Sequence, residues 1–573
     1  MKKYLLFSLC LCLFTFPATA QTEKQLTALI AAYDQFLDRE FPKDTLTSEQ
    51  PLGRFTESDF ARRYQFYQQL DASLAKLAKA ELPFNQQINL DLLRFVLQNE
   101  LREYEFHDYR NPILGDEGFH IHFAGISSGV YNTEKELRKY LSKLRDFPRY
   151  VHENLQLMRS GLAEGVAQPA LIIEGLRPSW DIHIVTTPSQ SLFYKPFLKK
   201  PSGIADSTWQ QLVSLAQKRI MSDVVPTYQQ LKIFFENEYL PKARKQMGVG
   251  AGFPNGQAYY QQRVQYYTTT SMTVDDVHQL GLKEVARIEA EMQTVMNEVG
   301  FKGNLQDFIQ KLRTDAQFYP KTADELLQRA AWLSKKAEAG LPALFGKLPR
   351  QPFTVAPVPD YLAPSYTGGR YSGASIKSKS AGAYWVNTYK LDSRPFYTLE
   401  SLTLHEAVPG HHLQTALAQE LTDMPRFRQN LYVNAFGEGW GLYSEYLGYE
   451  MGFYKDPYSR FGRLTYEMWR ACRLVVDTGI HGYGWSREKA VAYLGSHTAL
   501  SLHEVNTEIN RYISWPGQAL SYKIGEIKIK ELRQKTEKRL GDTFDVRAFH
   551  DLVLSQGSVT LSLLETMVDG FMR

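Results

Sequence analysis

Apolar residues recur along most of the chain with the spacing of amphipathic helices. The clearest pattern begins after Thr273, stops at Gly300, and has the apolar positions Val277, Leu280, Val285, Ile288, Met292 and Met296. Gly300 is a stop signal because glycine readily takes the backbone conformation that closes a helix. Similar spacing predicts helices over about residues 57–103, 133–165 and 208–247.

Two threonines mark the starts of helices. Thr133 precedes Glu136 by three residues, and Thr322 precedes Glu325 by the same distance. In this capping-box spacing, each side chain satisfies a backbone N–H group that the first turn of a helix leaves without a partner. Both pairs therefore predict that a helix begins at the threonine.

The pattern changes between about Pro349 and Arg394, where Gly, Ser, Pro and Tyr dominate. Within this stretch the segment AGAYWVNTY, Ala381–Tyr389, has the aromatic and β-branched content of a short strand. Helical spacing resumes at Thr398 and continues to the C-terminus. The sequence therefore predicts a mainly α protein with a small β-sheet near residues 350–390.

The N-terminus has the three parts of a secretory signal peptide. Lys2 and Lys3 form a basic start, Tyr4–Phe16 is apolar, and the small residues Ala-Thr-Ala end at Ala20. Residues 1–20 are thus predicted to be removed, and the mature protein is expected to begin near Gln21 and to be exported to the periplasm or beyond.

Composition argues against a membrane anchor and against nucleic acid as a partner. Cys10 and Cys12 lie inside the apolar run, so neither is placed for lipidation, and only Cys472 remains in the mature chain. Loss of two signal-peptide lysines lowers the formal charge from +4 to +2, which is nearly balanced for this length. No stable membrane anchor is expected.

A chain of 573 residues is too long for a single compact core of ordinary size. We expect a single large domain over residues 21–573. Its helical N-terminal part covers about 21–345, its small sheet about 350–390, and its helical catalytic part about 395–573.

Candidate chemistry centres on HEAVPGHHLQ, residues 405–414. In a helical HExxH motif two histidines four residues apart share a face and bind one metal, while the glutamate stands beside the bound water. Here the fourth residue after His405 is Pro409, which has no ligand atom and interrupts a helix. A kink or bulge is therefore expected at this point.

Two later histidines compete for the second ligand position. On an unbroken helix His411 would lie about 240° around and about 9 Å along the axis from His405, too far for a shared ion. A bulge that absorbs two residues at 407–410 would bring His411 to the required place, and Gly410 supplies the backbone freedom. His412 remains the alternative.

The third ligand is expected from a following helix, because catalytic zinc keeps three protein ligands and an open position. The segment NAFGEGWGLYSEYLGYE supplies Glu438, with Glu445 seven residues later on roughly the same face. Glu445 is placed to accept a hydrogen bond from a ligating imidazole and so to fix its orientation. Two imidazoles and a carboxylate favour zinc, although manganese or cobalt also suits such ligands.

The motifs HEAVPGHHLQ and EGWGLYSE resemble the signature of a family of secreted bacterial proteins catalogued as a domain of unknown function. The likeness extends to AYWVNT before the motif and RYISWPGQALSYKIGEIKI after it. That family is in turn similar to the gluzincin peptidases, among them angiotensin-converting enzyme, thimet oligopeptidase and dipeptidyl peptidase III. The resemblance implies a large helical body with a deep central cleft.

The resemblance also implies roles for single residues. Gluzincins place a glycine before the second metal histidine, which favours His405, His411 and Glu438 as ligands, with Glu406 as the general base. Relatives use a tyrosine or histidine from C-terminal helices to stabilise the oxyanion, and the candidates are, in order of preference, Tyr522, His481 and Tyr512. The strand at Ala381–Tyr389 is implied to hold a substrate backbone by edge pairing.

We therefore expect a secreted zinc metallopeptidase that acts on peptides. Two alternatives remain at this stage: a metal-dependent amidase or esterase with a non-peptide substrate, and a non-catalytic periplasmic binding or scaffold protein. Arg470, Arg473 and Asp477 lie at helical spacing and form either an internal ion-pair network or a clamp for a substrate carboxylate. The oligomeric state is not predicted.

Overall fold

The computed structural model describes the backbone of residues 2–77, 82–360, 362–376 and 380–572, and the side chains of these residues except 2–19 and 365. Its elements are mostly helices, as predicted. The signal peptide predicted for residues 1–20 stays a prediction, because nearly all of its side chains lie outside the described residues. None of the helices in the described part of the chain is both long enough and apolar enough to cross a bilayer.

Helices are numbered in chain order. They are α1 (Lys2–Glu40), α2 (Glu57–Leu77), α3 (Phe84–Glu105), α4 (Phe119–Gly125), α5 (Glu134–Glu164), α6 (Ala170–Gly175), α7 (Pro178–Asp181), α8 (Asp206–Arg219), α9 (Val225–Phe234), α10 (Val249–Gly252), α11 (Gly256–Thr268), α12 (Val274–Glu298), α13 (Leu305–Thr314), α14 (Ala323–Leu344), α15 (Leu399–Glu406), α16 (His411–Gln419), α17 (Arg426–Gln429), α18 (Asn434–Leu447), α19 (Pro457–His481), α20 (Arg487–His497), α21 (Leu502–Ser514), α22 (Ser521–Leu540), α23 (Val546–Leu554) and α24 (Leu561–Phe571).

The chain divides into two compact units, both of which lie largely within the span predicted as one domain. The first comprises residues 1–246 and 252–255, and the second comprises residues 247–251 and 256–573. The first unit has an aromatic core in which, for example, the rings of Phe123 and Phe147 stack with centroids 3.7 Å apart.

The helix starts follow the predicted caps. Thr133 and Glu136 form the full capping box at the start of α5, and the Thr322 side chain accepts the Glu325 amide at the start of α14. At Thr322 only half of the box forms, because Glu325 accepts the amide of Lys321 instead of that of Thr322.

A three-stranded sheet lies where the sequence predicts one. Its strands are β1 (Phe353–Pro357), β2 (Gly369–Ser372) and β3 (Gly382–Val386), in the order β1-β3-β2. β1 runs parallel to β3, and β2 runs antiparallel to it with Tyr371 opposite Tyr384. Both edges of β3 are therefore occupied, which corrects the expectation that this strand pairs with substrate. β2 is an edge strand.

The second unit is built around two pairs of packed helices. α12 packs along α19, and α18 packs along α22. The second crossing is close because two glycines meet: a methyl group placed on Gly439 would lie 2.5 Å from the Cα atom of Gly525. This contact brings the N-terminal end of α22 against the helix that carries Glu438.

A buried ion network joins these helices. The ammonium group of Lys523 on α22 lies 2.7 Å from Glu467 on α19, 2.6 Å from Glu526 and 3.1 Å from Glu284 on α12. Burial by itself lowers the pKa of Lys523, but the three carboxylates raise it above its ordinary value. The lysine is therefore charged, and its loss would leave the three carboxylates with only the cations at their other sides, such as Arg287 and Arg463.

Candidate metal centre

The predicted distortion at Pro409 is a complete break between two helices. α15 ends at Glu406 and α16 begins at His411, with a turn at residues 407–410. Across this turn the amide of His412 donates to the carbonyl of Ala407, 3.1 Å away and five residues back, where an α-helix would use four. The sequence predicted a bulge within one helix, whereas the chain forms two helices.

Three features hold this turn. Pro409 has no N–H group, so it cannot continue the hydrogen bonding of α15. A methyl group placed on Gly410 would lie 1.8 Å from the carbonyl oxygen of His405, so no other residue fits there without movement. The indole N–H of Trp440 on α18 donates to the carbonyl of Pro409 at 2.9 Å.

The break brings the three predicted ligands together. The Nε2 atoms of His405 and His411 lie 3.7 Å and 3.4 Å from Oε2 of Glu438. One donor atom from each residue lies within 4.8 Å of the others. Zinc bonds of 2.0–2.1 Å in a tetrahedron place ligand atoms about 3.3 Å apart. The three side chains therefore fit a zinc ion with little movement.

Glu445 supports His405 from behind, as the sequence predicted. Oε1 of Glu445 lies 2.8 Å from Nδ1 of His405, which leaves Nε2 directed toward Glu438. Burial lowers the pKa of His405, but its hydrogen bonds to Glu438 and Glu445 outweigh that effect and raise the pKa to about 9. Burial alone would raise the pKa of Glu438, yet His411 and His405 hold it well below its ordinary value.

Gly441 makes room for the first ligand. It lies on α18 one turn after Glu438, and a methyl group placed on it would lie 2.7 Å from Nε2 and from Cε1 of His405. Real carbon atoms do not approach so closely. The second glycine of EGWG, Gly441, therefore lets the imidazole of His405 lie flat against α18 beside the carboxylate of Glu438.

The candidate base Glu406 lies at the end of α15 and is almost completely buried. Its Oε2 atom accepts the backbone N–H of Tyr371 at 2.7 Å. That N–H lies on the side of β2 that faces away from β3. The edge strand thus orients the carboxylate, a contact that the sequence did not predict because 35 residues separate the two groups.

Tyr522, the preferred oxyanion donor, lies beside the centre. Its half-buried ring stacks on the ring of His405 with centroids 6.3 Å apart. The guanidinium carbon of Arg473 lies 4.1 Å from the centroid of the same ring. The structure thus places Tyr522 next to the predicted ligands.

His481 does not serve the predicted role, which is a correction. Its Nε2 atom lies 2.9 Å from the carbonyl oxygen of Tyr512, and its Nδ1 atom accepts the amide of Val249 at 3.1 Å. Both ring nitrogens are therefore engaged by the backbone, which leaves neither to donate to a substrate. Tyr512 is also excluded, since its buried hydroxyl accepts hydrogen bonds from Trp469 and Arg473 and donates its own proton to Glu508.

His412, the alternative second ligand, faces away from the other ligands. Its Nδ1 atom lies 3.1 Å from the hydroxyl of Tyr371, and its ring packs on Phe353. Burial lowers the pKa of His412 to about 4. The geometry therefore favours His411 over His412.

The arginines of α19 belong to a buried ion-pair network. Arg473 lies 3.0 Å from Glu508, and Arg470 lies 3.4 Å from Glu445, the carboxylate behind His405. Asp477 accepts the hydroxyl of Tyr260 at 2.6 Å, and burial raises its pKa to about 7. Of the two interpretations left open by the sequence, these contacts support the internal network.

A further residue at the centre, Tyr432, was not predicted from the sequence. Tyr432, in the segment between α17 and α18, donates its hydroxyl to Oε1 of Glu438 at 3.0 Å. Burial and the neighbouring carboxylate of Glu438 raise the pKa of Tyr432 well above its ordinary value. Its only signal in the sequence is its position six residues before a candidate ligand, which is too weak to have found it.

Two solved structures are similar to this chain over nearly its full length. A proposed lipoprotein from Colwellia psychrerythraea is 28% identical, with a TM-score of 0.87, and the match covers 96% of this chain and 99% of that one. A proposed lipoprotein of unknown function from Shewanella oneidensis is 18% identical, with a TM-score of 0.70, and covers 95% and 99%; at that identity the likeness shows the fold alone.

No curated protein sequence matches the chain. A family model described as "Bacterial protein of unknown function (DUF885)" matches residues 33–568. That match spans all the described elements of the centre, including both helices at the break and the helix of Glu438. The chain therefore belongs to this bacterial family.

Proposed function

We propose that the protein is an exported zinc-dependent hydrolase that cleaves peptides, with His405, His411 and Glu438 as metal ligands and Glu406 as general base. The observation that carries the proposal is the grouping of three ligand atoms within 4.8 Å of one another, directly beside a buried glutamate. The gluzincin-like character of the fold, with its central cleft, belongs to this proposal and rests on the motifs.

The chemistry follows from these side chains. A bound zinc ion would polarise a substrate carbonyl group and lower the pKa of a water molecule toward neutrality. Glu406 would take the proton of that water and pass it to the leaving amine. The Tyr371 amide keeps one oxygen of Glu406 engaged, so the carboxylate has a fixed direction from which its other oxygen can act.

Tyr522 is the proposed donor to the developing oxyanion. Its ring lies beside the ring of His405, so the side chain of Tyr522 is close to the proposed ligands. Donors of this kind act because they stabilise charge that appears only in the transition state. The proposal therefore assigns Tyr522 to catalysis and the metal ligands to binding and activation.

Peptides are favoured over other amides and esters by the edge strand. β2 lies at the side of the sheet next to Glu406. The Tyr371 N–H on its outward edge binds Glu406, so an extended peptide would pair with the outward-facing groups beyond that N–H. This role replaces the one first expected for β3.

A scaffold with a purely structural metal is less well supported. Structural zinc sites are closed by a fourth protein ligand. Among the described residues, the group of histidine and carboxylate side chains that fits a metal contains three members. A catalytic site requires a base such as the buried glutamate at position 406, adjacent in sequence to the first proposed ligand, whereas a structural site does not.

Export is the proposed location. The signal-peptide pattern supports it, and so does the similar structure from Colwellia psychrerythraea, which is described as a proposed lipoprotein. Cys10 and Cys12 lie within the apolar run, which argues for cleavage at a small-residue site near Ala20 without lipidation.

Metal analysis tests the ligand set. Purified protein is expected to hold about one zinc ion per chain. His411→Ala is expected to lose it, whereas His412→Ala is expected to keep it, because His412 faces Tyr371. The two variants remove the same group from adjacent positions of one helix. Equal metal content in both variants would refute the assignment of His411.

Activity measurements test the base. Glu406→Gln is expected to retain zinc and to lose hydrolysis of a mixed peptide set by at least about 10²-fold, the lower range for general-base catalysis. Wild-type protein should be tested in parallel on acyl esters and simple amides. Cleavage of those substrates without peptide cleavage would shift the proposal to an esterase or amidase.

A further inference from the structure

Tyr432 contacts Glu438, and the proposed function does not account for this contact. It lies just before α18, and its side chain is about as exposed as that of Tyr449 at the other end of the same helix, 44% against 42%. An exposed tyrosine usually points its hydroxyl to water. Here the hydroxyl turns inward and donates to Oε1 of Glu438 at 3.0 Å.

The two oxygens of Glu438 are thereby given different tasks. Oε2 faces the Nε2 atoms of His405 and His411 at 3.7 Å and 3.4 Å. Oε1 is occupied by the Tyr432 hydroxyl. A carboxylate whose second oxygen is held in this way binds a metal through one atom, and the coordination position that a second oxygen would take stays open.

The position of the Tyr432 ring is fixed by its neighbours. A methyl group placed on Gly437 would lie 2.3 Å from Cζ of Tyr432, so the ring lies directly on the helix at the residue before the ligand. The next residue, Val433, donates its amide to the hydroxyl of Ser558 at 2.8 Å, which ties down the end of the segment. Gly437, the first glycine of the GEGWG segment, therefore leaves room for the ring of Tyr432.

We propose that Tyr432 is a positioning residue that keeps Glu438 bound to the metal through a single oxygen and so preserves the open coordination position for water. This inference rests on the proposed function, because it presupposes that His405, His411 and Glu438 hold an ion. It assigns a role to a residue outside the HEAVPGHHLQ and EGWG motifs, and it accounts for the glycine at position 437.

The test compares Tyr432→Phe with wild-type protein and with Tyr449→Phe. Tyr449→Phe is the matched control, since it removes a hydroxyl from an equally exposed tyrosine near the other end of α18. Zinc affinity is measured by competition with a chelator, and coordination number by X-ray absorption of the zinc-loaded proteins. Tyr432→Phe is expected to bind zinc about tenfold more weakly, with one additional oxygen in its first shell.

A second variant separates the hydroxyl from general damage to the segment. Gly437→Ala keeps Tyr432 but displaces its ring, and it is expected to reproduce the loss of affinity and the added oxygen. The double variant should show no further loss, because both changes remove one interaction.

The outcomes distinguish the two proposals. Unchanged affinity and coordination in Tyr432→Phe, with normal zinc binding by the wild type, would overturn the role of Tyr432 alone. Absence of zinc binding by the wild-type protein would overturn the proposed function, and the role of Tyr432 with it.

Discussion

At the scale of one residue, the proposed ligand His405 makes the affinity for zinc depend on pH. Its pKa of about 9 lies above the ordinary value of 6.5 because Glu438 and Glu445 outweigh the effect of burial. The stability that this proton contributes to the metal-free protein is therefore fully present below pH 6.5 and is lost as pH rises through about 9. Zinc requires the neutral imidazole, so it must displace this proton.

We therefore predict that zinc binding at pH 7 releases about one proton from His405, and that affinity rises about tenfold per pH unit between pH 7 and pH 9. Calorimetry in two buffers of different ionisation enthalpy measures the proton count. Glu445→Gln is the comparison, because it removes one carboxylate that raises the pKa, and it should release less. Proton release that is equal in the variant and the wild type would contradict the prediction.

Gly441 supplies a second prediction at this scale. Gly441→Ala is expected to weaken zinc binding by about 10- to 100-fold, the range seen when groups that orient a metal ligand are changed. The reason is that its methyl group would occupy space within 2.7 Å of His405 Nε2. Zinc content measures binding, and circular dichroism measures whether the variant is folded.

Gly495→Ala is the control for Gly441→Ala. Gly495 lies within α20, and a methyl group there meets only Leu502, at an ordinary 3.9 Å. Alanine is the better helix former, so this variant should be slightly more stable, by about 0.5–1 kcal/mol, with unchanged zinc binding. If Gly441→Ala retained zinc as fully as this control does, the steric argument would be wrong.

At the scale of elements, the close crossing of α18 and α22 determines where Tyr522 lies. Backbone atoms meet at Gly439 and Gly525, so a methyl group at either position must push the helices apart. Overpacking of this kind costs about 1–3 kcal/mol. The same displacement would move Tyr522 away from His405, because Tyr522 is on the first turn of α22.

Gly439→Ala is accordingly predicted to lower the free energy of unfolding by about 1–3 kcal/mol and to reduce peptide hydrolysis more than zinc content. Urea unfolding, zinc analysis and a peptidase assay provide the three measurements. A variant with reduced zinc and undiminished turnover per bound zinc would show that α22 does not position a catalytic group.

The break between α15 and α16 shows how far local sequence reasoning reaches. Proline removes a helical hydrogen bond and favours a kink or a break, so a distortion at position 409 was predictable, although α5 continues through Pro148. Whether the chain bulges within one helix or starts a second one depends on what holds the turn. Here the indole of Trp440, 31 residues further along the chain, binds the carbonyl of Pro409 and holds the turn, and this contact is not local in sequence.

At the scale of the whole molecule, all the residues of the centre belong to the second compact unit, residues 247–251 and 256–573. Zinc at 1,000 times its dissociation constant would add about 4 kcal/mol to the stability of the state that binds it. The effect should therefore be concentrated in that unit, especially at α15, α16 and α18, which carry the ligands and the base.

Hydrogen exchange with and without a chelator tests this expectation. Removal of zinc is predicted to speed exchange in α15, α16 and α18 and to leave α2, α3 and α5 of the first unit unchanged. The melting temperature should fall on chelation and recover when zinc is restored. An equal loss of protection in both units would contradict the prediction.

The sequence by itself determined the features that depend on neighbouring residues. Helix caps at Thr133 and Thr322, the end of α12 before Gly300 and the interruption at Pro409 all follow from backbone chemistry within a few positions. Spacing and side-chain type also limited the candidate ligands to His405, Glu438 and either His411 or His412, and the resemblance to the gluzincins favoured His411.

Only the tertiary structure decided the features that join distant segments. It set His481 against backbone groups, placed β3 between two strands, and brought Tyr371 to Glu406 across 35 residues. It also turned the hydroxyl of Tyr432 toward Glu438. The physical reason is that such contacts depend on how helices and strands pack, and packing selects partners by shape and distance that a one-dimensional pattern does not contain.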